Sequence, residues 1–153
     1  LVGGGEDLEK LRGLSKELGV EEATIFTGRV PPSQIATYYA LSDLSVDPVH
    51  DDDAARGRCP LKMFESWACG VPFITGDVGD RRLLADDPPA AWLVEPGDEH
   101  SLANGLQKLL VDSTLQQQLK LAGQEKMKQY IWQTITNRTL TFFINSQAVG
   151  YSQ

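Results

Sequence analysis

Residues 56–75 read RGRCPLKMFESWACGVPFIT, and the punctuation of this stretch decides the fold class. Pro60 suits the first position of a helix, because its missing N–H would have no partner there and its φ is already helical. That helix is predicted to run to Cys69, with Phe64 and Trp67 turned inward. Gly70 suits the left-handed residue that closes a helix. Val71–Thr75 (VPFIT) then reads as a short, fully apolar strand. Helix, glycine, buried strand is half of a βαβ unit.

The same alternation extends in both directions. Upstream, Leu44–Asp47 is a strand candidate stopped by Pro48, and Val49–Arg58 reads as a polar loop containing HDDDAARGR. Ser33 is a plausible N-cap for a helix carrying Ile35, Tyr38, Tyr39 and Leu41. Thr24–Thr27 and Leu1–Gly3 are further strand candidates. Between them Leu8, Leu11, Leu14 and Leu18 have the spacing of an amphipathic helix, closed by Gly19. Downstream come a short helix near Arg81–Ala85, a strand at Ala91–Val94, and two or three helical segments from Asp98 to about Asn145, including a helical C-terminal segment over 113–146. Strands alternating with helices predict an α/β fold, a Rossmann-like parallel sheet flanked by helices over residues 1–153. Ligands of such sheets sit outside the C-terminal ends of the strands. The loops at 3–6, 28–32, 48–59 and 76–80 are therefore where function is expected.

Composition narrows the partners. The chain has 153 residues, 41% hydrophobic, and a net charge of −7. Residues 1–100 carry 19 acidic and 9 basic side chains, whereas residues 101–153 carry 2 and 5. An acidic body argues against a general nucleic-acid binder, so any phosphate must be met by a local basic cluster. No apolar run approaches the ~20 residues of a membrane span. Cys59 and Cys69 lie at opposite ends of the predicted helix, ~15 Å apart and beyond disulfide reach. Free thiols point to a reducing compartment, and the expected location is cytoplasmic. The chain begins at Leu1 rather than at a methionine, which fits a piece of a longer protein or a processed one.

Three constellations carry chemistry. Gly3-Gly4-Gly5-Glu6 is a glycine turn that can let backbone approach a phosphate, or simply a tight strand-to-helix connection; it matches neither the dinucleotide fingerprint nor a P-loop. His50-Asp51-Asp52-Asp53 could ligate a cation, but its spacing matches no calcium loop, and a solvated acidic loop is the expected state. Arg56, Arg58 and Lys62 are the strongest. They cluster at a helix N-terminus, where free N–H groups and the macrodipole already favour an anion. That is a diphosphate site in outline. Glu65 shares a helix face with Lys62 and could accept hydrogen bonds from a vicinal diol such as a ribose; an i, i+3 salt bridge is the plainer alternative.

Residues 60–80, PLKMFESWACGVPFITGDVGD, resemble the nucleotide-sugar-binding segment of GT-B glycosyltransferases, in the large group 1 of retaining enzymes. The family pattern runs P-x-K-x-x-E-x-x-A-x-G-x-P-V-V, then a small residue, Asp and one or two glycines. Residues 1–19 resemble the family's strand, glycine turn and first helix. Residues 20–48 resemble its F-x-G-x-V … Y-x-x-A-D-x-x-x-x-P segment, and residues 90–112 its G-x-L-V-x-P-G-D … L-A-x-A-I-x-x-L-L segment. Trp132 matches a tryptophan that often precedes the last helix. The resemblance covers nearly the whole chain.

That resemblance implies the C-terminal half of a two-domain enzyme, the half that holds a nucleoside-diphosphate-sugar donor. Glu65 would bind the ribose hydroxyls. Arg58 and Lys62 would be catalytic by stabilising the leaving diphosphate, together with amides at Cys59 and Leu61. Such electrostatic catalysis calls for no metal and no cofactor. Backbone near Arg29 and Val30 would meet the base, Gly4 would line the glycine turn, and the loop from Pro48 to Gly57 would face the sugar.

Two departures stand out. Many relatives carry a second glutamate eight positions before the ribose-binding one, where this chain has Gly57. The basic pair and acceptor domain that the family places upstream are not in this sequence, so the chain alone is expected to be inactive. This sequence holds no membrane span, and the resemblance leaves room for peripheral membrane contact of the full enzyme. A degenerate non-catalytic module for partner contact, and a GT-B-fold sugar-nucleotide epimerase, are the alternatives.

Overall fold

In the computed structural model, residues 1–149 are described. The chain divides into two compact units, Leu1–Leu41 and Ser42–Gln153.

In the first unit, α1 (Leu8–Glu17) and α2 (Pro32–Ala40) flank a short 3-10 turn at Glu21–Ala23. The strands expected at Leu1–Gly3 and Thr24–Thr27 do not form. The extended segments pair only briefly: the Leu1 amine donates to the Ile25 carbonyl at 2.7 Å, and the Thr27 N–H to the Leu1 carbonyl at 3.1 Å. A single bridge joins Gly3 to Gly28. Both glycines have positive φ, +125° and +67°, and so turn the backbone out of the extended region before a ladder can grow. The leucine stripe of α1 also departs from expectation, since Leu11, Leu14 and Leu18 are exposed and Ser15 is the buried residue. Helix α2 starts at Pro32, with Pro31 at the N-cap, so Ser33 lies inside the first turn.

The second unit contains the sheet. β1 (Ser45–Asp47), β2 (Phe73–Gly76) and β3 (Trp92–Val94) are parallel, in the order β1-β2-β3. Asp47 lies opposite Thr75, and Thr75 opposite Leu93. Parallel neighbours need crossovers. These are α3 (Asp53–Gly57) with α4 (Leu61–Cys69) between the first pair, and α5 (Arg81–Ala85) between the second. β2 is buried at every position, as a central strand must be. Its alternating side chains serve both faces. Phe73 packs in a cluster with Met63, Trp67, Ala85, Ala90 and Ala91, and Ile74 in one with Val94, Leu109 and Leu119.

Helix α4 ends as the sequence suggests. Gly70 has φ +68°, its N–H donates to the Trp67 carbonyl, and the Val71 N–H donates to that of Ser66. This is the paired closure that satisfies the last helical carbonyls. Its start is shifted by one: Pro60 is the N-cap and Leu61 the first helical residue. The long tail comprises α6 (Glu99–Val111), α7 (Ser113–Met127) and α8 (Trp132–Val149). Asp98 and Asp112 cap α6 and α7 through their carboxylates. No helix among the described residues is long and apolar enough to cross a membrane.

The polar loop expected over Val49–Arg58 contains α3, which is a correction with a clear cause. The Asp52 carboxylate accepts the Ala55 N–H at 2.7 Å, an N-cap that nucleates the turn. Ala55 is buried with Val49 and Val78, which anchors it. Asp51 pairs bidentately with Arg56 at 2.7 and 3.0 Å. That guanidinium holds the Asp51 carboxyl below the usual carboxylate range. The acidic run thus serves local structure.

Candidate functional site

The C-terminal edge of the parallel sheet gathers Asp47, Arg58, Lys62 and Arg81. β1 delivers Asp47 as its last residue, and the chain returns through α3 to Arg58 and the first turn of α4. Asp47 is 4% exposed. Its Oδ1 accepts from Lys62 Nζ at 3.3 Å, while its Oδ2 lies 3.4 Å from an Arg81 guanidinium nitrogen and 3.7 Å from one of Arg58. Its backbone carbonyl accepts from the Thr75 hydroxyl at 2.9 Å. Below it, Arg81 is fully buried. One Arg81 guanidinium nitrogen donates to the carbonyls of Ala55 and Val78, both at 3.2 Å, and its Nε has no partner. Above it, the side chains of Arg58 and Lys62 are 56% and 62% exposed. The floor is a neutral buried ion pair, and the rim carries two cations.

Exposure at the rim and burial at the floor have different electrostatic meanings. Exposed ion pairs are worth little in stability, so the Asp47 pairs position Arg58 and Lys62 without barring an incoming anion. They also stand before and within the first turn of α4, a nine-residue helix whose positive end favours negative charge, although its Leu61 and Met63 N–H groups already donate to the Cys59 and Pro60 carbonyls at 2.9 Å. Leu61 and Cys59 are exposed beside them. Glu65 lies one turn further along α4 and is exposed. Its charge reaches Cys69 one turn on, and that thiol is pushed above its ordinary value by burial first and by Glu65 second.

Glycines let the three loops at this edge meet. A Cβ on Gly76 would lie 2.8 Å from Val49 Cγ2, and one on Gly79 2.8 Å from the Arg56 carbonyl oxygen. One on Gly97 would lie 2.8 Å from His50 Nδ1, and the Gly97 N–H donates to the Val49 carbonyl. Gly57 is different. It has open space around its Cβ position and no positive φ, so neither packing nor backbone requires a glycine there.

The structure therefore brings together Arg58, Lys62, Leu61, Cys59 and Gly57 around the start of α4, with Glu65 on the same helix. In the first unit it brings Gly4 to Arg29: a Cβ on Gly4 would lie 3.0 Å from Arg29 Cγ and 3.3 Å from its N. Arg29 is exposed and Val30 half-buried. Arg56 belongs to the Asp51 pair rather than to Asp47. Sequence reasoning missed Asp47 and Arg81. A lone carboxylate ending an apolar strand is a usable signal for the first. Nothing local distinguishes buried Arg81 from its neighbour Arg82, which pairs with Asp77 at the surface.

Comparison with known proteins identifies the family and the fold. The family model described as glycosyl transferases group 1 matches residues 1–126. A GDP-mannose-dependent alpha-(1-6)-phosphatidylinositol monomannoside mannosyltransferase of Mycobacterium tuberculosis is 27% identical over 151 residues, 97% of this chain and 39% of its own length. Sucrose-phosphate synthase from Thermosynechococcus elongatus superposes with a TM-score of 0.79 at 24% identity, over 97% of this chain and 38% of that one. Anabaena HepE, solved with UDP and glucose, gives 0.79 at 20% identity, over 95% of this chain and 40% of that one. The fold is that of a GT-B glycosyltransferase domain. The chain spans about two fifths of the length of these proteins.

Proposed function

Because this chain belongs to the group 1 glycosyl transferases, we propose that it is the donor-binding part of a retaining glycosyltransferase and takes a nucleoside-diphosphate sugar. The observation that carries the reading is the pair of exposed cations, Arg58 and Lys62, drawn onto one buried carboxylate at the N-terminus of α4. A diphosphate there meets two positive charges and the positive end of the α4 dipole, beside the Cys59–Leu61 segment. As the glycosidic bond to the diphosphate breaks, negative charge grows on the leaving oxygen. Fixed cations stabilise that charge without reorganising, so they lower the barrier and not only the binding energy. No metal is needed for that role.

Glu65 is assigned to the ribose, whose two hydroxyls can both donate to one carboxylate. The segment from Pro48 to Gly57 is assigned to the sugar. The relatives support this choice of donor. The Mycobacterium tuberculosis relative is named for GDP-mannose, and HepE was solved with UDP and glucose. Acceptor binding and sugar transfer are assigned to the longer protein, and this chain alone is expected to bind donor without turnover.

Calorimetric or NMR titration with UDP, GDP, ADP and their sugars checks the reading. One base class should bind in preference, and Glu65→Ala should weaken it by ~1–3 kcal/mol through lost ribose hydrogen bonds. Failure of every nucleotide to bind would refute the proposal.

A further inference from the structure

We propose that Asp47 is a positioning residue for the donor's diphosphate, acting through Arg58 and Lys62 without touching the donor; this rests on the reading of the site given above. Its two oxygens are divided. Oδ1 takes Lys62, and Oδ2 takes Arg58 from the segment before α4 and Arg81 from beneath. Two like charges on long, flexible side chains would otherwise spread apart into water. The shared carboxylate tethers both nitrogens, at 3.3 and 3.7 Å from its two oxygens, so part of the ordering is done before the ligand arrives.

Arg81 explains how Asp47 stays in place. Its guanidinium is tied to the Ala55 carbonyl of α3 and the Val78 carbonyl of the loop after β2. The carboxylate above it is thereby registered to both loops that frame the site. Stability is a poor reason for this arrangement, because a buried ion pair commonly does no better than an apolar pair of the same volume. Charge arithmetic gives a better one. One carboxylate against Arg58, Lys62 and Arg81 leaves the cluster at +2, which matches the two negative charges of a nucleoside-diphosphate sugar.

The test is a mutant cycle on nucleotide affinity. Asp47→Asn keeps the shape and removes the charge, but it strands the buried Arg81. A second variant, Asp47→Asn with Arg81→Met, removes both buried charges and keeps the fold testable by thermal melting. Affinity for whichever of UDP, GDP or ADP binds the parent chain is then measured by NMR titration. Both variants should bind about tenfold more weakly, an effect of one well-placed ionic hydrogen bond. In an Arg58→Ala, Lys62→Met background the same changes should have no further effect. Parent-like affinity in the double variant, or a full tenfold loss persisting without Arg58 and Lys62, would overturn the positioning role while leaving the donor site intact. Absence of nucleotide binding by the parent chain would overturn both.

Discussion

Gly57 is the residue at which the chain departs most plainly from the pattern it resembles, and the structure bears on what that departure costs. It ends α3 with ordinary φ and open space at the Cβ position. A carboxylate could stand there without a steric or backbone penalty. Gly57→Glu should leave stability within ~0.5 kcal/mol of the parent in thermal denaturation, as surface changes away from special features do. A large loss of stability would mean that the segment is tighter than the geometry implies. Cys59 and Cys69 are both exposed, and partial burial together with the Glu65 charge keeps the Cys69 thiol protonated to higher pH.

Among the elements, α4 is held from both sides. Its N-terminal turn carries the rim cations, and its body packs on α7. The fit there is close: a Cβ on Gly123 would lie 2.3 Å from Trp67 Cδ1, while the Trp67 indole N–H donates to the Ala90 carbonyl at 2.8 Å. The indole is thus fixed at one edge and pressed at another. Gly123→Ala should destabilise the chain by about 1–3 kcal/mol in urea unfolding, the usual penalty of overpacking a filled core. An unchanged midpoint would show that the helices can slide apart. Much of this element level is legible in the sequence. Pro60, Gly70 and the VPFIT run place α4 and β2 to within a residue or two, because the signals are local and strong. Helix α3 is not, because three aspartates in a row look solvated until one is seen as a cap. The strands expected at Leu1–Gly3 and Thr24–Thr27 fail for the opposite reason: β-type residues are present, but glycines at 3 and 28 turn the chain away. The Asp47–Arg81 pair is invisible because its members are 34 positions apart and no pattern links them.

Across the whole molecule, burial is unevenly shared between the two units. Ser15 is the one buried residue of Leu1–Leu41, whereas β2, Met63 and Trp67 in the second unit are almost completely covered. Local opening should follow this division. Amide exchange is expected to be slowest in β2 and α4 and much faster throughout Leu1–Leu41, since the latter has few buried apolar contacts to break. Uniform protection would contradict it. Charge is uneven too. The net −7 isolates the Arg58 and Lys62 rim as a local exception in an acidic chain, so anion selectivity must come from placement rather than from a long-range field.

The glycines at 76, 79 and 97 have a practical consequence for altering what the site accepts. Where they bring backbone against backbone or against His50, there is no side chain to exchange, and any addition pushes a neighbouring loop. Variation is therefore channelled outward, to Asp53 and Gly57, the first with an exposed side chain and the second with open space at its Cβ position. On the proposed reading, a library confined to those two positions would sample new sugar contacts while the Asp47–Arg81 floor and the Arg58 and Lys62 rim stay as they are. Selectivity and foldability are, in this chain, separately adjustable.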